Sequence, residues 1–208
     1  MSSCLQQPSK WLDERDLHPL ENPGAPGEPV PGGVDHAINL DFSTSSNEFM
    51  INDVKFEPPS LPVLLQVLSG AVRPDEILPK GSVYPLPPNA TIEITMTGAG
   101  KKGWEHPIHL HGHTFEVVRV AGSDTYNYQN PVRRDVVNSG KGGDQVTIRF
   151  VTDNPGPWFL HCHIDWHLET GFAVVFAEAP ERWEAEIHPP PAWEELCPIY
   201  ASLSPGEL

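Results

Sequence analysis

Cysteine and positive charge are both scarce in this chain, and long apolar runs are missing. Its 208 residues contain three cysteines, and 13 lysines and arginines face 28 acidic residues, which gives a formal charge of −15. This acidic balance argues against nucleic acid and anionic membranes as partners, and we interpret it as a soluble acidic surface. No apolar run approaches the roughly 20 residues of a membrane-spanning helix; 172–177 is among the longest. We therefore predict no nucleic-acid partner and no membrane partner.

The amino terminus also lacks the features of a secretory leader. Residues 1–8 contain neither a basic segment nor an apolar one, so we predict no signal peptide in this chain. The length of 208 residues predicts one substantial domain with appendages, large enough to bury a β core.

Proline and glycine divide the chain into short segments. Residues 19–33 are rich in both and predict a linker or an extended surface strap. Short strand-like runs follow at 37–42, 49–52, 91–97, 114–121, 133–137, 145–151 and 171–177. Several short strands separated by turn residues are typical of an all-β sandwich or barrel. The exception is the leucine-rich run 61–68, which we interpret as a short helix with Pro62 in its first turn.

These segments predict three regions. An N-terminal extension and linker covers 1–33, an all-β domain covers 34–180, and a tail covers 181–208. The tail mixes acidic residues and prolines around Trp193 and Cys197, and we expect it to wrap the surface, with a helical turn at 192–196. Cys4 has no assignable role, and its pairing with Cys197 stays open.

Histidine, in contrast, is concentrated in two stretches that hold seven of the ten histidines. The first reads His106-x-x-His109-x-His111-x-His113, and the second reads His161-Cys162-His163-x-x-x-His167. Unrelated core or surface histidines rarely share such regular spacing. We therefore interpret both stretches as metal-binding motifs.

Strand geometry sorts these side chains into two groups. Apolar residues around His161 and Cys162 favour a buried strand, and successive side chains on a strand point to opposite faces. Cys162 then shares one side with His106. The opposite face carries His109, His111, His113, His161 and His163. Two separate sites are predicted, one with the thiol and one with the imidazoles at positions 109, 111, 161 and 163.

The thiol site favours copper. A thiolate with imidazoles suits copper or zinc, but structural zinc sites repeat paired cysteines, and Cys162 stands alone among histidines. Two histidines and one cysteine form the trigonal set of a blue copper site, and His167 supplies the second histidine if the chain turns back. Phe172 lies where such sites often keep a weak axial methionine, and an apolar residue there favours Cu(I) and a higher potential.

With the segments 125–128, 130–137 and 153–159, these motifs resemble the third cupredoxin domain of laccases, which are multicopper oxidases. They are most similar to the laccases of basidiomycete fungi, and the resemblance runs from about residue 16 to residue 198. It implies an all-β, cupredoxin-like Greek-key barrel or sandwich over 34–180, with a short helix and an extended C-terminal tail.

The resemblance also implies a copper role for each motif residue. The implied ligands are His106, Cys162 and His167 at the type 1 copper, His109 at the type 2 copper, and His111, His161 and His163 at the type 3 pair. Phe172 would occupy the non-coordinating axial position. His113 belongs to the motif without binding copper, and we interpret it as a structural residue behind the ligands.

The activity implied by the resemblance is one-electron oxidation of phenols or aromatic amines, coupled to reduction of O2 to water. Substrate would give its electron at the exposed edge of His167, and Cys162 would pass it to His161 and His163. The family's trinuclear cluster takes eight histidines, and this chain offers four. The implied partners are therefore a phenolic substrate, O2, and the missing first and second cupredoxin domains.

Two details concern the compartment. Fungal laccases are typically secreted, so an extracellular location is implied although no leader is predicted. Asn89 begins an N-x-T sequon, a weak glycosylation signal that agrees with secretion. Cys197 resembles the family cysteine that forms a disulfide with the first domain.

Two further functions stay open at this point. The chain could be a single-site blue copper electron carrier, since the type 1 ligand set is complete within it, although a carrier has no need of four further histidines. It could also be an inactive laccase fragment that binds no copper. Metal analysis and O2 consumption with a phenol distinguish these alternatives.

Overall fold

The computed structural model describes residues 12–61, 63–68, 76, 78–98, 104–193, 195–204 and 206. The strands in this part of the chain are β1 (His36–Ser45), β2 (Glu48–Ile51), β3 (Val83–Leu86), β4 (Thr91–Thr97), β5 (Pro107–Leu110), β6 (Phe115–Arg119), β7 (Val132–Arg134), β8 (Val136–Asn138), β9 (Gln145–Val151), β10 (Gly156–Cys162) and β11 (Ala173–Glu178). Short helices are α1 (Val63–Leu68), α2 (Asp165–Glu169), α3 (Trp183–Glu186) and α4 (Leu196–Ser202).

The strands form two sheets that pack face to face. One sheet has six strands in the order β2–β1–β4–β9–β6–β7, and the other has five in the order β3–β11–β10–β5–β8. Their inner faces share one core, to which Leu40, Ile94 and Ile148 contribute from the first sheet and Leu160 and Val174 from the second. The all-β prediction is confirmed as a sandwich. Over the described residues each sheet keeps two edge strands, so the closed-barrel alternative is wrong.

The predicted strands agree best with the structure where a short run is rich in apolar and β-branched residues. The predicted runs 91–97 and 145–151 coincide with β4 and β9, which pair with each other in antiparallel register. The predicted run 133–137 is instead two strands, because the chain leaves the first sheet after β7 and joins the second at β8. β3 was not predicted. It contains Pro85 and lies at a sheet edge, where a strand tolerates proline.

The proline- and glycine-rich segment 19–33, the strap, lies against the first sheet and is held there in part by one buried arginine. Arg149 of β9 is fully buried and forms an ion pair with Glu93 of β4, with Nη2 2.7 Å from a carboxylate oxygen. Its Nη1 donates to the carbonyls of Pro26 at 3.0 Å and Glu28 at 2.7 Å, and its Nη2 donates to that of Val30 at 2.6 Å. Residues 26–30 are thus fixed to the sheet by a residue more than a hundred positions away along the chain, and the interpretation of 19–33 as a linker or a strap stays a prediction.

The tail packs beside the second sheet through α3. The indole N–H of Trp183 donates to the carbonyl of Glu178 at 2.7 Å, and its ring packs with Val67 of α1 and Ala177 of β11. A helical turn was expected at 192–196; the structure has a 3-10 turn at Pro191–Trp193 and the longer helix α4. Cys197 is a free thiol in the described chain, and Cys4 lies outside the described residues.

The three-region division at residues 33 and 180 stays a prediction. The helix expected over 61–68 is present as α1, and Pro62 lies outside the described residues. None of the helices in the described part of the chain has both the length and the apolar character needed to cross a bilayer.

Candidate metal centre

Cys162, His106 and His167 meet between the two sheets at one end of β10. Cys162 is the last residue of β10, His106 immediately precedes β5, and His167 lies on α2. The Cys162 sulfur is 3.3 Å from Nδ1 of His167 and 3.7 Å from Nδ1 of His106, and the two Nδ1 atoms are 3.1 Å apart. All three side chains are buried. They form a group whose potential donor atoms lie within 4.8 Å of one another.

Backbone hydrogen bonds explain why a residue five positions after Cys162 returns to it. The amide of His167 donates to the carbonyl of Ile164 at 2.9 Å, which starts the turn of α2. The amide of Phe172 donates to the carbonyl of His167 at 3.0 Å, and that of Cys162 to the carbonyl of Phe172 at 3.1 Å. Gly171, with φ of 110°, reverses the chain between them. The local sequence therefore closes the loop that was expected from the spacing.

Burial sets the protonation of the three groups. It lowers the pKa of His106 to about 4, with a smaller contribution from His167, and it lowers the pKa of His167. It raises the pKa of the Cys162 thiol to about 11. At neutral pH the imidazoles are neutral, as metal ligands must be, and the thiol loses its proton only when a cation replaces it.

The donor set fits a copper ion. Bonds of about 2.0 Å to nitrogen and about 2.3 Å to sulfur would place donors that share one first-row metal ion roughly 3.3–3.7 Å apart, close to the separations found here. The two facing Nδ1 atoms can share only one proton in the metal-free state. Nδ1 is the nitrogen of His167 that faces the centre, since it lies 3.3 Å from the Cys162 sulfur, and Nε2 is buried without a hydrogen-bond partner. One soft sulfur with two imidazoles suits copper.

Phe172 closes the centre on one side with an apolar ring. It is fully buried, stacks on Phe49 at 5.0 Å between ring centroids, and meets the His106 ring edge-on at 5.0 Å. Its side chain has no atom that can donate an electron pair to a metal. Its axial role stays a prediction, and its contacts agree with that role.

The second histidine group assembles on the other face of β10. His109 and His161 are register partners on β5 and β10, with ring centroids 5.7 Å apart. His163 lies 5.7 Å from His109 and 5.6 Å from His161, between ring centroids. Nε2 of His111 is 3.0 Å from Nε2 of His161. The four expected histidines are thus brought together.

Backbone carbonyls orient two of these rings. Nδ1 of His109 donates to the carbonyl of Asp135 at 2.8 Å, and Nδ1 of His161 donates to that of Cys162 at 2.9 Å. A carbonyl only accepts, so the proton is on Nδ1 and Nε2 of each ring keeps its lone pair. Burial lowers the pKa of His111 and of His161, and the neighbouring histidines act in the same direction. These rings are therefore available as neutral ligands.

Strand alternation accounts for only part of this sorting. β5 ends at Leu110 and β10 at Cys162, so His111 and His163 reach the group from turns. Gly112, with φ of 76°, turns the chain, and a side chain there would overlap the indole of Trp158. Uninterrupted alternation would have placed His113 on the same face as His109 and His111. Because of the turn at Gly112, it does not join them.

His113 is instead buried against Glu178. Its Nε2 lies 2.9 Å from a carboxylate oxygen of Glu178, and both side chains are almost fully buried. The other carboxylate oxygen accepts the Asn154 amide at 2.7 Å, and Asn154 Nδ2 donates to the Gly112 carbonyl at 2.9 Å. The pair ties the histidine turn to the end of β11. Glu178 was missed from the sequence, because only its burial distinguishes it from other acidic residues.

The expected exposed edge of His167 is wrong for this structure. His167 is 2% exposed, and the rings of Trp104 and Trp166 lie over it, with centroids 6.1 Å and 3.9 Å from its own. Phe49 packs against it as well, at 4.3 Å. Trp166 could have been noticed as the neighbour of His167 in sequence. Trp104 lies 63 residues away and only folding brings it there.

The chain is similar in sequence to multicopper oxidases and laccases. A family model described as multicopper oxidase matches residues 56–182. Laccase-5 of Trametes versicolor is 58% identical over 203 residues, which are 95% of this chain and 38% of that protein. The laccase of Phlebia radiata is 61% identical over 200 residues, 94% of this chain and 38% of its own. The chain therefore spans well under half the length of these relatives.

Solved structures give the same result for the fold. The multicopper oxidase Fet3p, described as functioning in iron import, superposes with a TM-score of 0.77 at 26% identity, over 98% of this chain and 42% of that one. The laccase from Botrytis aclada superposes with a TM-score of 0.66 at 30% identity, over 83% of this chain and 33% of its own.

Proposed function

Because the chain belongs to the multicopper oxidase family, we propose that it is the C-terminal copper-binding part of a laccase. The complete enzyme would oxidise phenols or aromatic amines by one-electron steps and reduce O2 to water. The observation that carries the proposal is the convergence of one sulfur and two Nδ1 atoms within 4.8 Å at a buried position. His106, Cys162 and His167 would hold the type 1 copper, which accepts and releases single electrons when bound.

Phe172 and Phe49 support the type 1 assignment. They place stacked rings beside the donor atoms, so water is kept from this side of the centre. Neither ring offers an electron pair to a metal, and a centre held only by His106, Cys162 and His167 would favour the reduced metal and a high potential. That is the property needed in a site that takes electrons from phenols.

The other four histidines would supply half of a trinuclear cluster. We assign His109 to the type 2 copper, and His111, His161 and His163 to the type 3 pair. Cys162 lies between two of these ligands in sequence, and the hydrogen bond from His161 Nδ1 to its carbonyl at 2.9 Å gives a second connection between the sites. The chain's own backbone would therefore conduct electrons from one site to the other.

The partners that this proposal requires are a phenolic substrate, O2, and the first and second cupredoxin domains of a longer protein. Secretion and glycosylation belong to the same proposal. Asn89 is exposed in the turn before β4, and exposure is what attachment of a glycan requires.

A single-site electron carrier is the second candidate function. Among the described residues, Cys162, His106 and His167 are the one set of three or more His, Cys, Asp or Glu side chains whose donor atoms converge as a metal site. This favours a chain that, by itself, binds one copper tightly. A carrier would exchange electrons with a reductant and consume no O2.

The test is refolding with Cu(II), followed by metal analysis and visible spectroscopy. We expect one tightly held copper per chain and the intense absorption of a copper–thiolate bond. Cys162→Ser should remove this band, and Cys197→Ser is the matched control that should keep it. A colourless copper complex, or a band that persists in Cys162→Ser, would overturn the type 1 assignment.

A further inference from the structure

The surface above the copper centre consists of indole rings. Trp104 is 57% exposed and Trp166 is 48% exposed, whereas His167 beneath them is 2% exposed. The Trp104 ring is nearly parallel to the His167 ring, at 25° and 6.1 Å between centroids. Among the described residues, these two exposed indoles therefore lie between His167 and solvent.

We propose that Trp104 and Trp166 form a stacking site for planar, electron-rich aromatic rings, and that Trp104 is the group through which substrate contacts the centre. The site would determine which phenols or aromatic amines can be oxidised. This inference rests on the proposed function only for the direction of electron flow, since the binding itself needs no metal.

The geometry of the two indoles fits one aromatic guest. Their planes stand at 85° with centroids 6.2 Å apart, which makes an open corner with two walls. A planar ring in such a corner stacks on one indole and meets the other edge-on, the two arrangements that aromatic pairs prefer. Glu105 and Asp165 are exposed and each adjoins one of the indoles in sequence; the Glu105 carboxylate accepts a hydrogen bond from Asn138 Nδ2 at 2.6 Å.

Contact with Trp104 also gives a short route to the centre. Its ring lies over His167, whose Nδ1 is 3.3 Å from the Cys162 sulfur. A bound phenol would give one electron to the type 1 site and its hydroxyl proton to water or a carboxylate, and would leave as a phenoxyl radical. Tryptophan is neither oxidised nor reduced overall.

Binding can be measured on the copper-free chain. We would label the protein with 15N, follow the indole N–H signals, and titrate with a dimethoxyphenol, which cannot be oxidised without the metal. Signals of Trp104 and Trp166 should shift, and those of Trp158, Trp183 and Trp193 should not. Trp104→Ala should weaken binding roughly three- to tenfold, the range of one aromatic pair, and Trp104→Phe should restore part of it.

Trp193→Ala is the matched control, since it removes an indole from the tail and should leave the titration unchanged. If the phenol shifts no signal of the Trp104–Trp166 pair, the stacking site does not exist, and the indoles are instead a contact surface for another part of a longer protein. Trp104 is exposed, so its replacement is not expected to prevent folding.

The second measurement uses the copper-bound chain without oxygen. The rate at which a dimethoxyphenol bleaches the blue band should fall three- to tenfold in Trp104→Ala, an estimate taken from the same stacking range. The rate with ferrocyanide, which cannot stack, should stay the same or rise because His167 becomes exposed. A phenol rate that rises would show that Trp104 shields the centre, and would overturn the inference. Failure to form a blue band would contradict the proposed function alone, since the titration above remains decisive for the stacking site.

Discussion

Burial keeps His106 neutral, and this has a consequence for stability below neutral pH. Its pKa falls from 6.5 to about 4, chiefly through burial, so the unfolded chain binds the proton first as the pH falls. The contribution of His106 to the free energy of unfolding is therefore fully present above about pH 6.5. It falls by about 3 kcal/mol as the pH drops from about 6.5 to about 4. Urea unfolding of the copper-free chain at pH 7 and pH 4.5 measures the loss.

His106→Asn is the control for that measurement, since asparagine does not titrate. Other buried histidines also contribute, so the quantity to compare is the difference between the two proteins. If both lose the same stability between pH 7 and pH 4.5, His106 is not the group responsible.

Phe172 offers a test of the axial position at a single residue. Phe172→Met adds a thioether where the ring now meets His106 edge-on, and we expect a lower redox potential because an axial donor favours the oxidised metal. Exchange of one large apolar side chain for another should cost about 1 kcal/mol of stability. Redox titration of the blue band gives the potential.

Phe172→Leu is the matched variant, because it removes the same ring without adding a donor. A drop of equal size in both variants would assign the effect to lost packing, and Phe172 would then not occupy an axial position.

At the scale of elements, Arg149 joins three parts of the first sheet region: β9, β4 and the strap. Arg149→Met would leave the buried carboxylate of Glu93 unpaired, and we expect a loss of about 3–5 kcal/mol. The Gly32 amide, which donates to Glu93 at 2.9 Å, should exchange its hydrogen much faster. Urea unfolding and hydrogen exchange provide the two readouts.

Arg182→Met is the comparison, since Arg182 forms a half-exposed pair with Glu186 at 3.6 Å on the surface. Its loss should stay below about 0.5 kcal/mol, as for most exposed pairs. Equal losses in the two variants would show that the strap is not anchored by Arg149.

The strands and the histidine site show which features of the structure can be predicted from the sequence. β4 and β9 were predicted with their correct bounds because the pattern that defines them is local. β3 was not, since its pairing with β11 compensates for Pro85 and depends on residues almost a hundred positions away. The convergence of Cys162, His106 and His167 was predictable from their spacing and from strand alternation. The contacts of Trp104 with His167 and of Glu178 with His113 were not predictable, because these residues are far apart in sequence and only the fold brings them together.

At the scale of the whole molecule, the histidine count predicts the limit of catalysis. The 208-residue chain carries four histidines for a cluster that takes eight in its family, and they lie on one side of the site. Loss of even supporting contacts lowers metal affinity about 10- to 100-fold, so copper at this half site should bind weakly. We expect negligible O2 uptake by the chain alone with a phenol, although the phenol bleaches the blue band.

Oxygen electrode measurements on copper-bound protein test this expectation. Addition of a first domain that supplies the remaining histidines should restore uptake. Sustained turnover to water by the chain alone would show that it completes the cluster by another route, such as contacts between copies.

The position of β11 determines when Cys162, His106 and His167 can come together during synthesis. β11 is the last strand among the described residues, yet it lies between β3 and β10 in the second sheet. A nascent chain emerges from its amino terminus, so the strand that ends in Cys162 waits for residues 173–178 before it gains its neighbour. The Cys162 amide likewise waits for the carbonyl of Phe172, 3.1 Å away in the finished fold. Copper that arrives during translation would meet a free thiol and scattered imidazoles, which bind metal without selecting it. Binding of a metal at this position is therefore expected only after residues 173–178 have left the ribosome.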